Sequence, residues 1–236
     1  MAVQTSPAKV IALIIYEELT PFDLVGPLEV FMALQEIAPE YRVMVVGERK
    51  EVIISEVGLK FIPRHTFDEV PHPFVILIPG GSLRSIRVMS NPAIRKYIRT
   101  AAQKAEFITS VCTGALVLAA VGLLKGRPAT THWAFDGILE NLGSKYQRKR
   151  WVENGNIINS AGVSAGIDMA LYLVSRLTNE ATARLIQQRL DYDPQPPFGH
   201  IDWNKTGLYT AVPRALLRVA APFLTMQAKR LLHQNR

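Results

Sequence analysis

The sequence predicts an α/β fold: a three-layer sandwich in which helices cover both faces of a mostly parallel central sheet. Three short apolar runs have the length and composition of strands buried on both faces, Val10–Ile15, Phe74–Ile78 and Phe107–Val111. A segment with helical spacing of apolar residues follows each run, and this alternation favours a parallel sheet. The chain has 236 residues, 48% of them hydrophobic and 20% charged, which is enough for a sizeable core.

Apolar spacing and turn residues predict the other elements. Proline suits the first position of a helix, so Pro27 is expected to open the first helix, and Thr178 is expected to cap a later one. The predicted helices cover Gly26–Ile37, Asn91–Ala105, Thr113–Val121, Trp133–Leu142, Ala165–Leu177 and Thr178–Leu190. The further strands are Tyr41–Val46, Ala129–Thr131, a hairpin of Val52–Ser55 with Leu59–Ile62, and a hairpin of Trp151–Asn154 with Asn156–Asn159.

One α/β domain is expected over residues 1–198, followed by a C-terminal extension over residues 199–236. Asp191–Asn204 is rich in proline, glycine, aspartate and aromatic residues, which predicts an ordered or semi-ordered surface loop. From Val212 onward the sequence predicts a basic amphipathic helix.

The net charge is +7, with basic clusters at residues 145–150 and in the C-terminal tail. A basic surface suits nucleic acid or an acidic partner. No motif that would enter a groove accompanies these clusters, so we interpret the excess as scattered surface charge and do not expect nucleic-acid binding.

The cysteine count and the apolar runs indicate the compartment. A single cysteine cannot form an internal disulfide, which fits a reducing cytosol. The N-terminus lacks the pattern of a signal peptide, and the longest apolar run, Ala115–Leu124, is too short to cross a bilayer. We therefore expect a cytoplasmic protein with no membrane partner.

Cys112 is the strongest functional candidate, because it lies between a predicted buried strand and a predicted helix. Such a turn is a cysteine version of the nucleophile elbow, which presents the sulfur at the carboxyl end of a strand. Free amides and the dipole of the first helical turn favour an anion there, so the pKa of the thiol is expected to be lowered. Gly114 is expected to let the helix pack close to the strand. A buried structural cysteine is the alternative.

Two further features are expected at the same sheet edge. Gly80 and Gly81 end the second buried strand, where a backbone amide can bind substrate by donating to developing negative charge; an ordinary tight turn is the alternative. Asp23 follows the first strand and is expected to hydrogen-bond the sulfur or shuttle a proton. A turn or capping role explains the same aspartate equally well.

Thr113, and not histidine, follows the cysteine, so an adjacent Cys–His dyad is absent. His132 is the histidine best placed to line the site and contact substrate, with a purely structural role as its alternative. No His, Cys or carboxylate cluster has metal-ligand spacing, so no metal site is expected.

These residues lie in segments that resemble the ThiJ/PfpI superfamily, whose fold is class I glutamine amidotransferase-like. Ser110–Leu118 and Ala129–Trp133 resemble the superfamily as a whole. Within it, three segments resemble the isonitrile hydratase branch: Phe22–Phe31, Ala165–Leu171 and Tyr192–Phe198.

The resemblance implies a lyase that adds water to an isonitrile and gives an N-substituted formamide. It assigns the nucleophile to Cys112, the acidic partner to Asp23 and the catalytic threonine to Thr113, with no metal or organic cofactor. It also implies a homodimer. The chemistry that we expect is attack of the Cys112 thiolate on the isonitrile carbon to form a thioimidate, with Asp23 relaying protons.

Other activities compete with hydration. Transcription regulators of the AraC type carry closely similar strings, so a ligand-sensing domain is the second hypothesis; their helix-turn-helix module is not expected after Phe198. A glyoxalase-, chaperone- or protease-like activity usually needs histidine where Thr113 stands. A redox sensor is a further alternative, since an exposed low-pKa thiol oxidises readily. Arg84 and Arg87, in the loop after the glycines, favour an anionic or polar substrate.

Overall fold

The computed structural model describes residues 8–81, 83, 85–203 and 207–234. The strands are β1 (Lys9–Ile14), β2 (Tyr41–Gly47), β3 (Ile53–Ile54), β4 (Lys60–Phe61), β5 (His65–Thr66), β6 (Val75–Ile78), β7 (Phe107–Val111), β8 (Pro128–Ala129), β9 (Lys145–Tyr146), β10 (Trp151–Asn154) and β11 (Ile157–Ser160). The helices are α1 (Pro21–Ile37), α2 (Ser85–Val88), α3 (Pro92–Ala102), α4 (Gly114–Ala120), α5 (Asp136–Asn141), α6 (Ala165–Leu177), α7 (Glu180–Arg189) and α8 (Leu208–Gln234). A 3₁₀ turn, Trp133–Phe135, precedes α5.

A seven-stranded sheet of order β10-β11-β7-β6-β1-β2-β5 forms the centre of the fold. All neighbouring pairs are parallel except β10 with β11, which form an antiparallel hairpin at one edge. Every residue of β6 and β7 is buried, as expected of strands that helices cover on both faces. The predicted α/β fold with a mostly parallel central sheet is therefore confirmed.

Two predicted helix starts are wrong. The first helix begins at Pro21 and not at Pro27, so Asp23 lies in its first turn and Pro27 lies inside the helix. Either proline suits the first turn of a helix, because the N–H groups there have no partner within the helix and proline, which lacks an N–H, loses no hydrogen bond. The helix α7 is capped by Asn179, whose Oδ1 accepts from the Thr182 amide at 2.9 Å; the predicted cap Thr178 instead donates its hydroxyl to a carbonyl of α6.

The C-terminal helix α8 packs on α5 and on the 3₁₀ turn. The buried Asp136 carboxylate receives the guanidinium groups of Arg214 and Arg218 from this helix. Burial opposes ionisation of Asp136, but the two arginines outweigh it and hold the pKa of its carboxyl below the usual value. The predicted division into residues 1–198 and 199–236 is not tested by these contacts and stays a prediction.

Within the described ranges, no helix combines the length and apolar composition that crossing a bilayer requires.

Candidate active site

Three adjacent parallel strands bring the candidate residues together. In the order β7-β6-β1, the carboxyl ends of the strands lead to Cys112, to Gly80 and, through a short connection, to Asp23 at the start of α1. Strands β1 and β6 are neighbours in the sheet, but the chain continues from β1 to β2 on one side and from β6 to β7 on the other. In open α/β sheets, ligands bind in the crevice beyond the carboxyl ends of the strands at such a reversal of strand order.

Cys112 occupies a strained turn between β7 and α4. Its φ is +57°, in the left-handed region that non-glycine residues rarely adopt. The turn is possible because Gly114 lies against β6: a Cβ on Gly114 would approach the Ile78 carbonyl oxygen to 2.2 Å. The expected close packing of helix and strand at Gly114 is confirmed, and the strain at Cys112 is of the kind that clusters at functional sites.

Asp23 is fully buried beside the cysteine. Its Oδ2 accepts the Gly80 amide at 3.0 Å, and its carboxyl interacts with the Cys112 thiol at hydrogen-bonding range. The other oxygen, Oδ1, is buried and meets no donor of good geometry among the described residues. Burial raises the pKa of Asp23 to about 7, against the opposing effect of the Gly80 and Cys112 hydrogen bonds. Such a carboxyl can both give and take a proton near neutral pH.

The pKa of the Cys112 thiol is raised, which corrects the expectation from the helix terminus. Burial raises it most, since Cys112 is only 6% exposed, and the neighbouring Asp23 charge adds to the effect. The amide and hydroxyl of Thr113 act in the opposite direction by hydrogen-bonding the sulfur. Burial and a carboxylate therefore outweigh the free amides of one helical turn, and the resting sulfur keeps its proton.

Gly80 fits between the three side chains that the sequence singled out. A Cβ at this position would lie 2.6 Å from Asp23 Oδ2, 2.8 Å from Thr113 Oγ1 and 2.9 Å from Cys112 Cβ. The amide of Gly81 donates to Thr113 Oγ1 at 2.9 Å. In this structure both glycine amides hold catalytic candidates in place, and their expected role in binding substrate or an oxyanion stays a prediction.

Two residues of the site were missed in the sequence. Tyr16 lies just after β1, and its hydroxyl donates to the Pro79 carbonyl at 2.5 Å. This carbonyl belongs to the Pro79–Gly80 peptide, whose N–H donates to Asp23. The Thr131 hydroxyl donates to the Cys112 carbonyl at 2.9 Å and so fixes the elbow from its far side. A polar residue that ends a buried apolar run, as Tyr16 does, is the sequence signal that would have found the first.

His132 packs within its own turn. Its ring lies 5.2 Å from Trp133 and 5.9 Å from Phe135 between centroids, and its Nδ1 accepts from the Ala134 amide at 3.4 Å. Burial lowers the pKa of the imidazole, so it is neutral near pH 7. These contacts describe a structural residue, and a role for His132 in lining the site stays a prediction.

The predicted basic loop is described only in part. Arg84 lies outside the described residues. Arg87 is exposed, and its guanidinium lies 3.9 Å from the Glu18 carboxylate. Among the residues that the structure describes, no group of three or more His, Cys, Asp or Glu side chains is arranged to hold a metal ion.

Comparisons with known proteins identify similar sequences and structures. Isonitrile hydratase of Pseudomonas putida is 39% identical over 188 residues, which cover 80% of this chain and 80% of that protein. The crystal structure of a ThiJ/PfpI family protein from Pseudomonas syringae superposes with a TM-score of 0.79 at 31% identity, covering 95% of this chain and 90% of that one. The transcriptional regulator CdhR of Pseudomonas aeruginosa is 36% identical over 87 residues, but these cover 36% of this chain and 26% of the regulator.

Residues 9–176, which span β1 to α6, match the DJ-1/PfpI family over most of the chain. The matched region contains the elbow cysteine, the buried aspartate and the glycine between them. This protein belongs to the DJ-1/PfpI family.

Proposed function

We propose that this chain is an isonitrile hydratase: it adds water to an isonitrile and releases an N-substituted formamide, as a carbon–oxygen lyase that needs no metal or organic cofactor. The observation that carries the proposal is the buried Asp23 carboxyl, which lies within hydrogen-bonding range of Cys112 and whose Oδ1 meets no donor of good geometry among the described residues. A buried polar atom without a partner is costly, and at a reactive site it is the atom that exchanges a proton with substrate. The likeness to the Pseudomonas putida hydratase supports the substrate class.

In the first step, the Asp23 carboxyl gives its proton to the isonitrile carbon, whose lone pair forms the new C–H bond. The Cys112 sulfur, as thiolate, attacks the same carbon, and one π pair moves to nitrogen. The product is a thioimidate, R–N=CH–S–Cys, and Asp23 is left as the carboxylate. The proton of the resting Cys112 thiol first passes to the Asp23 carboxylate, so the one proton that the pair shares becomes the new C–H proton and leaves the sulfur as thiolate.

In the second step, water attacks the thioimidate carbon. Asp23 takes a proton from the water and passes it to the nitrogen, which gives a tetrahedral R–NH–CH(OH)–S–Cys. Collapse of this species returns the hydroxyl proton to Asp23, forms the formamide C=O bond and releases the sulfur as thiolate. The donors on Thr113, its amide and its hydroxyl, stabilise the sulfur when it carries charge.

The test is incubation of the purified protein with cyclohexyl isocyanide, following N-cyclohexylformamide. We expect turnover by the wild type, no turnover by Cys112→Ala, and an unchanged far-UV spectrum in the variant. Hydration that persists in Cys112→Ala would refute the covalent route, and a wild type that forms no formamide would refute the proposed activity.

A ligand-sensing function remains the second candidate, since 87 residues of the chain are 36% identical to the transcriptional regulator CdhR. Retention on heparin that weakens with salt, together with no formamide production, would favour it. The cytoplasmic location and the homodimer stay predictions; size-exclusion chromatography with light scattering measures the latter directly.

A further inference from the structure

A cavity of about 240 Å³ lies between the C-terminal helix α8 and the segment around the 3₁₀ turn. Its walls include Trp133, Trp203 and Arg148 on one side and Arg214 and Arg218 on the other. The catalytic candidates do not line it. Its volume is near the lower end of small-molecule sites and suits a ligand of one or two rings.

Two tryptophans give this cavity an aromatic wall. The ring centroids of Trp133 and Trp203 are 6.2 Å apart and the rings are inclined by 51°, so they form an open angle and do not stack on each other. The Arg148 guanidinium lies 5.3 Å from the centroid of Trp203. Indole faces beside a guanidinium are the surfaces that hold a flat ring and an attached anion.

Three of the residues that line the cavity are arginines, Arg148, Arg214 and Arg218. Arg214 and Arg218 both bind the buried Asp136 carboxylate, and Arg218 also reaches Glu140 at 3.1 Å. Within the described part of the chain Arg148 forms no ion pair, and its polar contact is a hydrogen bond with Tyr146.

We infer that this cavity binds a small aromatic monocarboxylate, with its ring against Trp133 and Trp203 and its carboxylate on Arg148. A planar guanidinium binds a carboxylate through two parallel hydrogen bonds, and this pairing would neutralise the charge of Arg148. The inference does not depend on the hydratase activity, because no residue of the Cys112 site is used.

The test is ¹⁹F NMR of the full chain labelled with 5-fluorotryptophan, titrated with phenylacetate. The three tryptophans give three resonances, assigned by single Trp→Phe variants. We expect saturable shifts at Trp133 and Trp203 with a Kd of roughly 1 mM or below, the range of a ligand with ten heavy atoms. Trp151, which packs on Tyr172 away from the cavity, provides the internal control and should not shift.

Neutral and variant controls decide the assignment. Phenylacetamide, which has the same shape without the charge, should bind at least about fivefold more weakly, as should phenylacetate to Arg148→Gln. Arg150→Gln, a matched change at an arginine paired with Asp168, should leave the Kd unchanged, as should Cys112→Ala. The inference is overturned if the shifts do not saturate, if the amide binds as well as the acid, if Arg148→Gln equals Arg150→Gln, or if Cys112→Ala abolishes binding.

Discussion

Tyr16 and Asp23 hold opposite ends of one peptide group. The Tyr16 hydroxyl donates to the Pro79 carbonyl at 2.5 Å, and the N–H of the same peptide, that of Gly80, donates to Asp23 Oδ2 at 3.0 Å. Polarisation passes along such a chain, so a donor on the carbonyl strengthens the N–H as a donor. Tyr16 therefore acts on the Asp23 carboxyl without touching it.

Removing the Tyr16 hydroxyl should raise the pKa of Asp23 above its present value of about 7, because the carboxylate loses part of its stabilisation. In Tyr16→Phe we expect the acid limb of the pH–rate profile to move up by roughly half a unit, a differential effect of under about 1 kcal/mol. The rate of Cys112 alkylation by iodoacetamide, followed against pH, reports the same change without relying on hydration.

Tyr97→Phe is the matched control for this experiment. Its hydroxyl donates to the Val70 carbonyl at 2.9 Å in a buried position. Both variants should lose about 1–3 kcal/mol of stability from the carbonyl that is left without a donor. Only Tyr16→Phe should shift the acid limb, and equal pH profiles in the two variants would contradict the relay.

Asp23→Asn should abolish hydration and yet stabilise the fold at alkaline pH. The pKa of Asp23 is about 7 when folded and 3.8 as the reference value, so the folded state binds this proton more tightly. Wild-type stability consequently falls as pH rises from about 4 to about 7. Above pH 7 the charged carboxylate costs up to about 4 kcal/mol, which asparagine avoids.

Urea unfolding measures this difference. We expect a gain in Asp23→Asn at pH 8, a smaller gain at pH 5 and none near pH 4. A variant that is destabilised at pH 8 would show that the buried carboxylate contributes to the fold, and would remove the evidence that its place in the site is functional.

Gly80→Ala should abolish the proposed hydration, because the new methyl group would meet Asp23, Thr113 and Cys112 at less than 3 Å. These side chains would have to separate, and displacements of this size lower rates by about a hundredfold. Gly162→Ala is the matched control, since a Cβ there meets nothing within 4 Å. Formamide production that is equal in the two variants would show that the close approach at Gly80 is unimportant.

Asp136→Asn should loosen the C-terminal helix. The variant leaves Arg214 and Arg218 without their buried carboxylate, and because both arginines are partly exposed to water we expect a loss of about 1–3 kcal/mol. The pKa of Asp136 is lowered in the folded state, so its contribution is present above the unfolded value of about 4 and is lost at lower pH.

Glu140→Gln removes an exposed partner of Arg218 and should change stability by no more than about 1 kcal/mol. Urea unfolding at pH 7 and pH 3 separates the two variants. A loss in Asp136→Asn that is as large at pH 3 as at pH 7 would contradict the ionic origin of the contact.

The central strands could be predicted because burial on both faces leaves mostly apolar runs; β6 is apolar throughout, and β7 is interrupted only by Thr109 and Ser110. The strands β5 and β9 have two residues each, and so short a segment carries no periodicity. The start of α1 was ambiguous because two prolines satisfied one rule, and only packing distinguishes them.

The cysteine could be identified from its place at the end of a buried strand, and Asp23 from the same edge rule. The direction in which the pKa of the Cys112 thiol shifts could not be predicted, because it depends on burial and on a carboxylate that lies 89 positions earlier in the chain. Tyr16 also lies at the carboxyl end of a buried strand. Its partner, however, is the backbone carbonyl of Pro79 just after β6, and no side-chain motif predicts such a contact.

The order of strands in the central sheet determines when the site comes into existence. Asp23, Gly80 and Cys112 become neighbours only after β1 has paired with β6 and β6 with β7, so no local fragment contains a working arrangement. During synthesis the three residues can meet only once Thr113 and the helix α4 have emerged and β7 has paired with β6. Formamide production therefore reports on long-range strand pairing in this chain, and molecules in which these strands have not paired should produce none.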